Sequence, residues 1–160
     1  MKKTGLTILL LAGVISQVMP DTTNLDTDKA RFPTLPDGFE ISLFASEPLI
    51  RNPTCIAFDR RGRAFVAQGP QFRKPKKDTP GDSIKILIDH DDDGVADEVK
   101  TFARGFNSIH GLAWKDNDLY VANAPDFTVV RDTDGDDVAD EYIRIYTDLG
   151  NVEHSLHGLN

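Results

Sequence analysis

A single cysteine, Cys55, stands in a chain of 160 residues. It excludes an internal disulfide, a zinc site built on two thiolates and a C-x-x-C-H haem attachment within these residues. Basic residues are also few. Eighteen Lys and Arg against 26 Asp and Glu leave a formal charge of −8. Phosphate contacts need a basic surface, so this balance argues against a nucleic-acid partner. It leaves room for a bound cation that offsets several carboxylates. Past the N-terminus no stretch carries a sustained helical period. What is present is 39% apolar and 8% aromatic, with 12 Gly and 9 Pro, a globular composition that excludes collagen-like and disordered chains. The length predicts about one domain.

Lys2 and Lys3 precede an apolar run from Leu6 to Val18, broken by Thr7, Gly13, Ser16 and Gln17. The run is short of the roughly 20 residues of a membrane span and suits the core of a secretory signal. Val14 and Ser16 would be the small −3 and −1 residues. The segments expected are a signal peptide over 1–16, a flexible leader over 17–35 and a β domain over 36–160. An uncleaved anchor helix is the other reading, and membrane association stays open. Cleavage would remove two lysines and no acid, taking the charge from −8 to −10. The expected location is the periplasm or cell surface.

The remainder repeats itself. Ile84–Asp89 superposes on Phe127–Asp132 at an offset of 43 residues, which also places Val95-Ala96-Asp97-Glu98 on Val138-Ala139-Asp140-Glu141. Ser108–Leu112 matches Ser155–Leu159 at an offset of 47. Periods of 40–50 residues made of short strands signify propeller blades or a similar array. Apolar and aromatic runs bounded by Gly, Pro, Asn or Asp predict strands at 53–59, 63–68, 84–88 and 98–104, then 109–114, 118–123, 126–131 and 141–147. The fold class expected is all-β: a partial β-propeller of two four-stranded blades and the start of a third near Val152. Phe39–Phe44 is expected to be a strand completing another blade. Closed propellers have four to eight blades, so the chain reads as the N-terminal part of a longer protein. The insert Pro70–Asp82, with Arg73, Lys74, Lys76 and Lys77, reads as a basic surface loop.

Two acidic loops carry the main chemical signal. Asp89, Asp91, Asp93 and Asp97 occupy positions 1, 3, 5 and 9 of one loop; Asp132, Asp134, Asp136 and Asp140 occupy the same positions of the other. Ca²⁺ takes six to eight oxygens, and alternating carboxylates on a curled loop converge on one point. Position 6 is Gly94 in the first loop and Asp137 in the second. Position 12, a bidentate Glu in an EF-hand, is Lys100 and Ile143, so neither loop is a complete EF-hand. Plain acidic turns are the competing reading.

Among the histidines, His154 lies before a predicted innermost strand, where propeller residues face the central channel. It is a candidate general base, with a solvated or structural role as the alternative. His110 and His157 are equivalent in successive units, which points to packing or hydrogen bonding. His90 reads as a turn residue. Cys55, on an apolar strand, reads as a small buried hydrophobe.

Leu35–Ile50 (LPDGFEISLFASEPLI), Asn52-Pro53-Thr54, the acidic repeats and His154–Leu159 together resemble a bacterial family, the membrane-bound dehydrogenase-like propellers of planctomycetes. The resemblance covers residues 35–160. Through that family the chain is similar to the glucose/sorbosone dehydrogenases, six-bladed propellers that use pyrroloquinoline quinone with calcium. The resemblance implies oxidation of a sugar or polyol. It makes His154 the base, five residues before Leu159, and puts Asn107 and His110 near a quinone-contacting segment. It also implies quinone-holding cations beyond residue 160 and a downstream cytochrome c module. A non-catalytic, calcium-stabilised propeller that binds carbohydrate or protein is the alternative.

Overall fold

The computed structural model describes residues 32–71 and 81–150. The expected signal peptide, the basic residues of the insert, and His154 and His157 lie outside them. Eight strands and no helix are present among the described residues. The strands are β1 (Pro53–Phe58), β2 (Ala64–Gln68), β3 (Asp82–Ile88), β4 (Glu98–Phe106), β5 (Ile109–Lys115), β6 (Asp118–Asn123), β7 (Asp126–Arg131) and β8 (Glu141–Tyr146).

They form two antiparallel four-stranded sheets, β1-β2-β3-β4 and β5-β6-β7-β8, each in sequence order. The first strands, β1 and β5, make most of the contact between the sheets. Two meander sheets stacked face to face and closest at their first strands have the arrangement of successive propeller blades. The described residues are all-β and propeller-like, as the repeat predicted.

Alternation explains the packing. On β2, Phe65 and Ala67 face the second sheet, while Ala64 and Val66 face the other way. The period of two therefore gives the first sheet two apolar faces. Between the sheets, Phe65 meets Phe102 edge-on at 5.0 Å and Trp114 at 4.8 Å. Ile84, Ile86, Leu112, Leu119, Val121 and Val130 close this core. On the far face, Phe44, Ala45 and Ile50 pack against Ala64, Val66 and Leu87. Residues before β1 thus form a third layer.

That layer corrects one expectation. Phe39–Phe44 is not a strand, because among the described residues no strand lies beside it to complete a ladder. Its placement nevertheless follows the repeat. Ala96 donates its N–H to the Phe44 carbonyl at 2.8 Å, and the equivalent Ala139 donates to the Phe102 carbonyl at 2.7 Å. Phe44 stands to the first sheet as Phe102 of β4 stands to the second.

Candidate metal centres

Both acidic loops sit at the same end of their sheets, between β3 and β4 and between β7 and β8. Each is shaped by its first aspartate. Asp89 accepts N–H bonds from Asp93 at 3.3 Å and Gly94 at 2.9 Å. Asp132 accepts them from Gly135 at 2.7 Å, Asp136 at 3.3 Å and Asp137 at 2.9 Å. This curling requires left-handed backbone at positions 4 and 6. Those positions are Asp92 (φ 59°) and Gly94 (φ 83°) in one loop, Gly135 (φ 83°) and Asp137 (φ 68°) in the other. Glycine and aspartate are exchanged between the loops while the backbone is kept. Asp tolerates this region better than most residues, which is why Asp137 does not break the second loop.

The carboxylates converge in part. Oxygens of Asp89, Asp91 and Asp97 lie within 4.8 Å of one another, as do those of Asp132, Asp134 and Asp136, and each trio could hold a metal ion. The sequence placed four ligands in each loop; Asp93 is outside the first trio and Asp140 outside the second. For Asp140 the cause is visible. Thr133 ties it down with both its N–H, at 3.2 Å, and its hydroxyl, at 2.7 Å. The first loop has His90 at that position, which gives Asp97 only its N–H, at 2.7 Å. The His90 ring turns instead to Glu98, at 3.0 Å.

Electrostatics separate the carboxylates by role. The Asp93 carboxylate, with partial desolvation and Asp97, pushes the Asp91 carboxyl up from its ordinary value. Asp136 does the same to Asp134. Asp89 moves down: partial desolvation opposes this, but N–H donors from Gly94, Asp92, Asp93 and Asp91 outweigh it. Each loop therefore has one carboxylate satisfied by backbone and others held together against repulsion, which a bound cation would relieve.

Sequence reasoning treated Asp137 and Lys100 as departures from the EF-hand pattern; in the fold they pair. Asp137 binds Arg63 at 2.6 Å and Lys100 at 2.7 Å, and Arg63 also binds Asp59 at 2.8 Å. Desolvation would raise the Asp137 carboxyl, but Arg63 and Lys100 prevail and hold it at about 2. The second loop is thereby anchored to the first sheet. The first loop docks on the layer before it through the same position: the Gly94 carbonyl accepts a bond from the Ser42 hydroxyl at 3.0 Å. A Cβ on Gly94 would meet that hydroxyl oxygen at 2.8 Å. No local pattern reveals these pairs, since the partners are 37 to 74 residues apart.

Asn107 and His110 lie at the opposite end of the sheets. Asn107 is in the short link between β4 and β5, and His110 is near the start of β5. His110 acts electrostatically on Asp82, which is 2% exposed and accepts the Ser108 N–H at 2.7 Å. Burial pushes the Asp82 carboxyl up, against the N–H groups of Ser108 and Gln71 and the nearby His110. Seven residues of strand separate Asp82 from Asp89, roughly 23 Å at ~3.3 Å per residue. A cation on the acidic loops is therefore remote from anything held at Asn107 and His110, which suits a structural ion. Cys55 is half-buried, and burial pushes its thiol up, as an inert apolar residue requires.

Fold and loops together define a class: stacked meander sheets whose outer hairpins carry carboxylate clusters. The family model of a domain of unknown function, DUF7133, matches residues 27–160, and the chain belongs to that family. No curated protein and no solved structure matches it.

Proposed function

We propose that the two acidic loops are calcium sites that brace successive sheets of a propeller. One observation carries this reading: two carboxylate trios recur at the same place in consecutive sheets, each on a loop that docks through position 6 onto the layer before it. Hard oxygen donors on tightly curled loops suit Ca²⁺, with water completing six to eight ligands. Thermal unfolding with calcium and with chelator tests it. Calcium is expected to raise the midpoint of the wild-type chain. Asp89→Asn combined with Asp132→Asn is expected to lose most of that gain. Equal midpoints with and without calcium would overturn the reading.

The resemblance of residues 35–160 extends the proposal. The exported protein would be a quinone-dependent sugar or polyol dehydrogenase, with catalysis at the end of the sheets away from the calcium loops. Pyrroloquinoline quinone, when bound, supplies the two-electron acceptor. Asn107 and His110 would contact it, and His154 would take the substrate hydroxyl proton. The separation of Asn107 and His110 from the acidic loops favours a bracing ion over a cofactor-bound one. Dye-linked oxidation of a sugar and polyol panel by the protein carrying the whole ring tests this extension. His154→Gln is expected to lower turnover about 10²–10⁴-fold. Unchanged turnover would remove the base, and inactivity of the wild type across the panel would favour a binding module.

A further inference from the structure

We propose that a cavity of about 210 Å³ on the outer face of the first sheet is a binding site for a small divalent oxyanion, a phosphate or sulfate group. The cavity is lined by Arg51, Lys85 and Arg104, with Gln68 and Ser83 beside them. It lies toward the end of the sheet away from the acidic loop, bounded by Pro70 and Gly81.

Charge pairing singles these residues out. In a chain with a surplus of acid, Arg60, Arg61, Arg63, Lys100, Arg131 and Arg144 each lie within 4 Å of a carboxylate. Among the described residues, Arg51, Lys85 and Arg104 have no such partner, and the three converge on one cavity. Lys115 also has no carboxylate partner among the described residues, and it is exposed elsewhere.

The arrangement is strained in charge. Lys85 Nζ donates to Thr101 Oγ1 at 2.6 Å, and Arg104 Nη2 donates to the same oxygen at 3.2 Å. The two cations are therefore within about 6 Å, where like charges disfavour each other. The strand ladder fixes this, since Lys85 faces Thr101 and Ser83 faces Arg104 across β3 and β4. Desolvation, and then Arg104, push the Lys85 ammonium below its ordinary value. A divalent oxyanion bridging both cations would remove the repulsion and add charge-assisted hydrogen bonds. The volume is below the roughly 300–1,000 Å³ of sites for drug-sized ligands, so it takes a free ion or the terminal group of a larger molecule.

Calorimetric titration of the full chain with sodium sulfate, phosphate and acetate, at constant ionic strength because salt screens such contacts, tests the site. Saturable binding of sulfate and phosphate, with acetate weaker, is expected. Lys85→Gln and Arg104→Gln should each weaken sulfate about tenfold to a hundredfold, while Lys115→Gln leaves it unchanged. Arg104 is exposed, so its variant carries the test if Lys85→Gln fails to fold by circular dichroism. Glucose 6-phosphate binding more tightly than phosphate identifies an ester as the ligand, and equal affinity a free ion; both uphold the site. No saturation, or the same affinity in wild type and both cavity variants, would overturn it, as would an equal loss in Lys115→Gln. Calcium plays no part in this measurement, so its outcome is independent of the acidic loops.

Discussion

Asp137 shows how one residue serves backbone and charge together. It holds a left-handed φ of 68° and pairs with Arg63 and Lys100. Asp137→Asn keeps the backbone preference and removes the charge, so a loss of about 1–3 kcal/mol in urea unfolding is expected. The same pair makes stability depend on acid. The carboxyl is lowered from 3.8 to about 2 on folding. Its contribution is therefore complete above pH ~4 and fades as pH falls toward 2. Acid titration of the unfolding midpoint should show a smaller drop across that window in Asp137→Asn. Gly94 and Asp134 give the opposite lessons. Gly94→Ala should destabilise, through its φ of 83° and the Ser42 oxygen 2.8 Å from the new Cβ. Adding Ser42→Gly should restore only the steric share. Asp134→Asn relieves repulsion from Asp136, so it should raise the melting midpoint in chelator and lower the gain from calcium.

At the scale of strands, burial divides the sheets sharply. Every residue of β2 is buried, whereas every residue of β8 is exposed. Phe65→Ala should therefore cost about 3–5 kcal/mol, while Ile145→Ala, on β8, should stay within about 0.5 kcal/mol; paired denaturant curves check both. The same contrast explains what was readable in advance. Strands such as Ile109–Lys115 and Asp118–Asn123 declare themselves through apolar, β-branched and aromatic runs between turn residues, and their limits fall within two residues of expectation. The loops were legible because position 1 of each organises its own nine residues. Long-range partners were not. Nothing near Lys100 announces Asp137, and Phe39–Phe44 carries a strand pattern that only a neighbouring strand could realise. Asp140 left the ligand set for a local reason, the Thr133 hydroxyl, that the carboxylate spacing does not register.

Across the whole molecule the layers follow one rule: each acidic loop reaches back to the layer before it, through Ser42 and Gly94 or through Lys100 and Asp137. Charge is sorted along the sheets as well. Twelve of the 26 acids lie in the two loop segments that end at Glu98 and Glu141, and Arg51, Lys85 and Arg104, three described cations with no described carboxylate partner, gather elsewhere. No helix of the described residues is long and apolar enough to cross a membrane. On β8, the last strand of the second sheet, Ile143, Ile145 and Tyr146 are exposed. The central claim is that the acidic loops are ion sites rather than turns that happen to be acidic. Calorimetric titration of the chain with calcium addresses it most directly. Two equivalents are predicted, with dissociation constants of about 10⁻⁴–10⁻³ M because position 12 supplies no carboxylate. One equivalent should be lost in Asp89→Asn and the other in Asp132→Asn. Absence of binding heat at millimolar calcium, or two equivalents persisting in both variants, would contradict the account.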